Sequence, residues 1–218
     1  MTTVLAFDTA TTACSAALWR DGRILSRRFE SMPRGQSEAL VPMILAVLAE
    51  AGIDWPDIDL LAVTVGPGAF TGLRIGLATA RGMALAANRP CLGIGTLEAV
   101  AAAAGLGASP LLVALETKRA DLYVQVFAAD GSPLSEPMAV PPENLPAHLP
   151  PGPLRVAGDA AERVRSLYPE AVFLAVPGEP DAAIVAALAA ARWRPGATAP
   201  PPAPLYLRPP DVSMPPAP

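Results

Sequence analysis

The sequence has 218 residues, 52% of them apolar and 17% charged, with a formal net charge of −4. This length allows one large domain or two small ones, and the acidic balance argues against a protein that coats nucleic acid by itself. No apolar run reaches the ~20 residues of a membrane span and no signal-peptide pattern opens the chain, so we expect a cytoplasmic protein without a membrane partner. Cys14 and Cys91 are far apart and are expected to be reduced, buried thiols.

The first half of the chain predicts a β-β-β-α-β-α unit. Asp21-Gly22 is a strong signal for a tight hairpin turn between two strands, since such a turn requires positive φ angles. The continuously apolar segment at 60–65 is typical of a strand buried on both faces. The predicted elements are strands at 3–7, 12–19 and 23–29, a helix at 37–51, a strand at 60–65 and a helix at 71–87.

The second half repeats this order of elements, again with a turn signal, Asp130-Gly131, after its second strand. We therefore predict an α/β fold of two duplicated β-β-β-α-β-α lobes, at 1–105 and 106–194. Ten prolines among the last 24 residues predict an extended or disordered tail at 195–218, in which 205–208 is the segment expected to dock on the body.

Two segments carry the signals of a nucleotide site. Asp8 and Thr9 end the first strand, where nucleotide-binding hairpin folds hold a metal-bound phosphate, but Ala10 stands at the position of the usual glycine. Gly66, Gly68 and Thr71 lie in the sequence GPGAFTGLRIG, which opens a helix whose N-terminus could hold an anion.

The matching loop of the second half, 116–119, also lacks the glycine. Two altered loops argue against a working kinase and predict no cofactor, or at most a vestigial ATP and Mg²⁺ site, with plain strand ends as the structural alternative. His148 is the only histidine, which excludes a zinc site built on a histidine pair and, with it, a metallopeptidase.

The two N-terminal helices carry more apolar side chains than one sheet-facing stripe uses. Leaving about four of them exposed would forgo roughly 6–12 kcal/mol of burial, as much as a whole domain's stability. We therefore predict a helical interface with another subunit, the alternative being burial within this chain. The predicted interface residues are Leu40, Met43, Ile44, Val47, Gly72, Leu73, Gly76, Leu77, Ala80 and Ala84.

The charge of the chain is uneven. Residues 20–34 hold five arginines against Asp21 and Glu30, a local charge of +3. A solvated hairpin is the simpler interpretation of this segment, and a small RNA-facing patch inside a complex is the other.

Four segments resemble the TsaB (YeaZ) family, bacterial subunits of the machinery that makes threonylcarbamoyladenosine in tRNA. They are Phe7-Asp8-Thr9-Ala10, the run from Gln36 to Pro42, GPGAFTGLRIG at 66–76 and Tyr206-Leu207-Arg208. The resemblance runs strongly from residue 3 to about 105 and thinly through the rest. Gln36 stands where the family usually has a histidine, so that residue's role does not carry over.

The resemblance implies a fold of the actin, Hsp70 and sugar-kinase (RNase H-like) type. It implies a non-catalytic paralogue of TsaD that pairs with TsaD through its N-terminal helices and forms a homodimer when alone. It further implies an ATPase subunit, TsaE, in the assembly, contact with tRNA only through the complex, and a supporting role in transferring threonylcarbamoyl to the adenosine 3′ of the anticodon. The competing hypothesis is an ATP-binding enzyme of the same fold, an ATPase or a small-molecule kinase.

Overall fold

The computed structural model describes residues 1–196 and 200–208 and contains two five-stranded sheets. The first sheet holds β1 (Thr3–Asp8), β2 (Ala13–Arg20), β3 (Arg23–Ser31), β4 (Leu60–Gly66) and β5 (Cys91–Gly95). The second holds β6 (Leu111–Glu116), β7 (Leu122–Phe127), β8 (Met138–Val140), β9 (Arg155–Ala157) and β10 (Val172–Phe173). The α-helices are α1 (Gln36–Ala51), α2 (Phe70–Ala87), α3 (Thr96–Ala104), α4 (Ala161–Arg165) and α5 (Ala182–Arg192). Short 3₁₀-helices lie at Trp55–Asp57 and Pro142–His148.

The two sheets have the same topology. Their strand orders, β3-β2-β1-β4-β5 and β8-β7-β6-β9-β10, both place the third, second, first, fourth and fifth strand of a lobe side by side. In each sheet the first three strands pair antiparallel and the last two join in parallel. The predicted fold class, an α/β protein of duplicated lobes, is confirmed. In the second lobe the predicted first helix is a 3₁₀-helix, Pro142–His148, and Pro146 lies inside it.

Local signals account for several element ends. Asp21 and Gly22 have φ angles of 46° and 87°, as a tight turn between β2 and β3 requires. Gly52 ends α1 in the left-handed conformation and donates its backbone N–H to the helix. β5 was absent from the predicted elements, because its five residues include two glycines and show no alternation.

The last helix of each half packs on the sheet of the other half. Val185, Ala186 and Ala189 of α5 pack against Val4 and Ala6 of β1. Helix α3, from the first half, packs in the same way on the second sheet. The strands before residue 105 thus form the first sheet and those after it form the second. Helices α3 and α5 each pack on the sheet of the other half, and this shared apolar layer links the lobes.

Helices α1 and α2 cover the opposite face of the first sheet. Leu5 and Phe7 of β1, which alternate with Val4 and Ala6, pack there against Ile44 of α1 and other side chains of both helices. No helix in the described part of the chain is long and apolar enough to cross a membrane.

Residues 200–208 are extended and lie against the body, as predicted for 205–208. The predictions for 197–199 and 209–218 concern residues outside those described.

Candidate functional site

A cleft of about 400 Å³ separates the two lobes. From the first lobe it is lined by the turn after β1 and by the first turns of α1 and α2, and from the second by the end of β6 and the loop that follows. Its polar wall includes Thr11, Gln36, Thr71, Glu116, Lys118 and Asp159. The cleft is the place where the predicted nucleotide residues would have to meet.

Asp8 is fully buried at the end of β1 and does not line the cleft. Its Oδ1 accepts hydrogen bonds from the Thr64 hydroxyl and, at 3.0 Å, from the Ala10 N–H. Its Oδ2 has no hydrogen-bond partner among the described residues. Burial raises the pKa of this carboxyl to about 7, the nearby charges of Glu179 and Asp181 adding to the effect. Asp8 is therefore partly protonated near neutral pH.

The turn after β1 occupies the start of α2. The Ala69 N–H donates to the Ala10 carbonyl at 2.7 Å, and the Thr9 hydroxyl donates to the Gly72 carbonyl at 2.7 Å. A Cβ atom at Gly68 would lie 2.3 Å from the Ala10 oxygen, and one at Gly72 would lie 2.1 Å from the Thr9 oxygen. These glycines therefore allow the protein's own turn to approach the helix.

Only two of the five predicted nucleotide residues reach the cleft. Gly68 and Thr71 line it, whereas Asp8 and Thr9 are buried beneath it. Gly66 is also buried, with a φ angle of 113°, and it faces the C-terminal segment. Among residues 1–196 and 200–208, no three acidic, histidine or cysteine side chains are grouped so that they could hold a metal ion.

The second-lobe wall of the cleft depends on two residues that the sequence did not single out. Asp159 accepts the Glu116 N–H at 2.9 Å, and Arg163 pairs with the Glu116 carboxylate at 2.9 Å. Burial raises the pKa of Asp159. The signal that could have found Asp159 is its position just after the fourth strand of its lobe, which corresponds to GPG in the first. Lys118, with a φ angle of 60°, projects from the loop held in this way.

The expectation that the ten predicted interface residues form an exposed face is wrong. All but Ala84 are buried within this chain, and Ala84 is half-buried. The large side chains, such as Ile44 at 0% exposure, pack on the first sheet, and the glycines face the turn after β1. The prediction assumed that each helix buries only the stripe that faces the sheet. Two helices packed side by side on a sheet also bury the side chains that face each other.

A different set of apolar side chains on the same helices faces solvent. Val41 and Leu45 lie one turn apart on α1 and are 42% and 51% exposed. Phe70 and Leu85 of α2 are 46% and 85% exposed. Four large apolar side chains that were not among those predicted thus remain partly exposed on α1 and α2, beside exposed charged side chains such as Glu38 and Arg74.

The charged segment at 20–34 is partly neutralised. Arg27 pairs with Asp181 at 2.6 Å and Arg28 with Glu50 at 3.3 Å. His148, the single histidine of the sequence, is exposed at the end of its 3₁₀-helix.

Comparison with known proteins gives concordant matches. The family model described as TsaD, tRNA N6-adenosine threonylcarbamoyltransferase, matches residues 25–156. A protein of Escherichia coli K12 named tRNA threonylcarbamoyladenosine biosynthesis protein TsaB is 40% identical over 129 residues, and the match covers 58% of this chain and 55% of that protein. The chain therefore spans about half the length of that relative.

A second relative extends the similarity to the whole chain. An uncharacterised protein of Mycobacterium tuberculosis H37Rv is 35% identical over 216 residues, covering 97% of this chain and 94% of its own. A solved structure described as YeaZ from Pseudomonas aeruginosa superimposes with a TM-score of 0.77 at 30% identity, covering 95% of this chain and 100% of that one.

The duplicated sheets and the cleft between them define a two-lobed α/β protein of the actin and sugar-kinase class. The family model, the relatives and the solved structures assign the chain to one family within this class. The chain belongs to the family of the TsaD model, and its relatives and structural neighbours place it among the TsaB (YeaZ) proteins.

Proposed function

We propose that this chain is a non-catalytic, cytoplasmic subunit in the biosynthesis of threonylcarbamoyladenosine in tRNA. It binds and activates a catalytic paralogue of the TsaD type, which transfers threonylcarbamoyl to the adenosine 3′ of the anticodon. The observation that carries the proposal is the joint match to proteins named TsaB and to the TsaD family model.

The arrangement around the cleft supports an accessory role. Asp8 is buried, and the start of α2 already accommodates the Thr9–Ala10 turn. A catalytic phosphate site would need an acidic side chain turned toward the ligand and free N–H groups at the helix start. In this chain the turn after β1 and the start of α2 form hydrogen bonds with each other instead.

The outer surface of α1 and α2 supports docking of the paralogue. Val41 and Leu45 present an apolar ridge on helices that lie outside the first sheet. The chain matches both the TsaD family model and a protein named TsaB, so catalytic and accessory relatives share part of their sequence. Related folds can present matching helices to each other, giving a pseudo-twofold interface and a homodimer when the paralogue is absent.

The remaining parts of the proposed assembly follow from this role. An ATPase subunit of the TsaE type would join the pair, and tRNA would be reached only through the complex. Arg27 and Arg28 already form ion pairs with carboxylates of this chain. This pairing favours contact with tRNA through the complex over direct contact with the 20–34 segment.

The experiment is co-purification of the full chain with its TsaD paralogue. Leu45→Glu should abolish the complex while leaving the melting temperature of the isolated chain within about 2 °C, because a substitution on the surface costs little stability. Leu134→Glu, at 54% exposure in the second lobe, is the matched control and should keep the complex. Undiminished recovery of the paralogue with Leu45→Glu would overturn the proposed interface.

One observation favours the alternative, an ATP-binding enzyme of the same fold. Gly68 and Thr71 of the first lobe and Lys118 of the second line a common cleft. Titration calorimetry with ATP and Mg²⁺ on the isolated chain separates the two proposals. Binding that is lost in Lys118→Gln supports the enzyme, and absence of heat at millimolar nucleotide supports the accessory subunit.

A further inference from the structure

The extended segment at 200–208 crosses from one lobe to the other. Four prolines in its first five residues, Pro200, Pro201, Pro202 and Pro204, favour a stiff, extended backbone. Its early residues contact the first lobe and its last residue contacts the second.

On the first lobe the segment is held by backbone and side-chain contacts. The Leu205 N–H donates to the carbonyl of Val65 in β4 at 2.7 Å, and Arg81 of α2 donates from its Nε to the Pro202 carbonyl at 2.9 Å. Pro202 is buried. This end of the segment is therefore anchored independently of the second lobe.

Tyr206 adds an aromatic anchor. Its ring lies 5.4 Å from that of Phe70, and its hydroxyl accepts a hydrogen bond from Arg74 Nε at 3.1 Å. The Arg74 guanidinium lies over the Phe70 ring at 3.6 Å. Two of the segments that carry the family resemblance, GPGAFTGLRIG and Tyr206-Leu207-Arg208, thus meet in space.

The glycine at 66 makes room for this path. A Cβ atom there would lie 2.8 Å from the Leu205 carbonyl oxygen. The close approach of the segment to β4 is therefore accommodated by the sequence of the body.

Arg208 makes the contact with the second lobe. Its guanidinium pairs with Asp121, and its Nη2 donates to the Thr117 hydroxyl at 3.4 Å. It also lies 5.7 Å from the centre of the Tyr123 ring. Thr117 and Tyr123 both line the cleft, so Arg208 holds the second-lobe wall from outside.

This contact lies on the other side of the molecule from the α5 packing. Helix α5 joins the lobes on the Val4 and Ala6 face of β1, whereas the segment runs along α2 and β4 and so reaches the second lobe from the α1 and α2 face. Lobes joined at one face can rotate about that joint, and a tie at the opposite face limits the rotation.

We propose that residues 200–208 form a strap that limits the opening of the cleft, with the Arg208–Asp121 ion pair as its fastening. This inference concerns the chain by itself and does not depend on the proposed function. The strap determines how far the Glu116–Asp121 loop can move away from the first turn of α2.

The test measures the distance between two spin labels, one on each lobe of the full chain, by pulsed electron–electron double resonance. Spin labels are attached through Glu38→Cys on α1 and Glu170→Cys in the second lobe, both exposed positions. Cys14 and Cys91 are buried, and burial raises the pKa of each thiol to about 12, so the native cysteines do not compete for the label.

Arg208→Gln should lengthen and broaden the distance distribution and increase its long-distance fraction about two- to five-fold, the range expected for loss of one partly exposed ion pair. Tyr206→Ala, which removes the aromatic anchor of the strap on α2, should have the same effect. Arg208→Lys should restore much of the wild-type distribution. Arg165→Gln is the matched control, because Arg165 pairs with Glu162 inside α4 and should leave the distances unchanged. A wild-type distribution in Arg208→Gln, or equal lengthening in Arg165→Gln, overturns the strap.

Discussion

Replacing Gly72 by alanine tests how closely α2 approaches the turn after β1. A Cβ atom at Gly72 would lie 2.1 Å from the Thr9 carbonyl oxygen, which belongs to the backbone and has no rotamer to change. The helix or the turn must then move by about 1.4 Å to reach an ordinary contact of ~3.5 Å. Such a movement also strains the bond that the Thr9 hydroxyl donates to the Gly72 carbonyl.

The magnitude follows from three contributions. Overpacking costs about 1–3 kcal/mol, and loss of the Thr9 hydrogen bond costs about 1 kcal/mol. Alanine stabilises the helix by about 1 kcal/mol relative to glycine, because its helix propensity is higher, and this partly offsets the loss. We therefore expect Gly72→Ala to lower the free energy of unfolding by about 1–3 kcal/mol.

Gly82 provides the control in the same helix, since a Cβ atom there would meet nothing within 4 Å. Gly82→Ala should raise the free energy of unfolding by up to about 1 kcal/mol. Urea denaturation, followed by tryptophan fluorescence, measures the free energy of unfolding of both variants. In thermal unfolding their melting temperatures should differ by roughly 2–16 °C in a chain of this size. Equal stability of the two variants would refute the close approach of α2 to Thr9.

Three further variants or conditions test the interior. Burial raises the pKa of Asp8 from 3.8 to about 7, so the native state holds a proton that the unfolded chain releases between these values, and the free energy of unfolding falls as the pH rises through this window. Asp8→Asn should remove that part of the slope; equal slopes for both proteins in urea denaturation at pH 5 and pH 8 contradict the assignment. Cys14 and Cys91, whose pKa values burial raises to about 12, should stay unreactive toward a thiol reagent at pH 8 until urea unfolds the chain, and fast labelling of the native protein would show that they are accessible. Ile44→Glu places a carboxylate at a site with 0% exposure and should lower the free energy of unfolding by several kcal/mol, enough to prevent folding. The yield of monomer and its circular dichroism would show this loss, and a folded variant would contradict the burial of Ile44.

The sequence predicted the fold better than it predicted the surfaces. Turn signals such as Asp21-Gly22 and the repeated order of elements were sufficient for the duplicated lobes, because both depend on local chemistry. Helix α3 was not among the predicted elements, and the packing of α5 on the first sheet was not predictable from local signals. An apolar stripe shows that a helix is buried and does not show which sheet buries it.

The candidate sites were predicted in part. Gly68 and Thr71 line the cleft, and their role toward a nucleotide stays a prediction. Asp8 and Thr9 are buried, because burial depends on contacts distant in sequence. Asp159 was missed because its signal, a position just after the fourth strand of its lobe, is visible only when the two lobes are aligned strand by strand. The docking of 205–208 was anticipated from its composition, but its partners on α2 and in the second lobe were not.

The small residues of α2 explain why the interface was misplaced. Gly72 and Gly76 of α2, and Gly68 just before the helix, recur at four-residue intervals, a spacing that lets another part of the protein approach closely, whether it belongs to a partner helix or to the same chain. Here the approaching group is the chain's own: Cβ atoms at Gly68 and Gly72 would lie 2.3 and 2.1 Å from the backbone oxygens of the turn after β1, and one at Gly76 would lie 2.7 Å from the Thr9 hydroxyl. This face of α2 is therefore already filled. A docking partner must use the sides of α1 and α2 that remain exposed, and variants that break the fold and variants that break the complex should fall on different faces of the same helices.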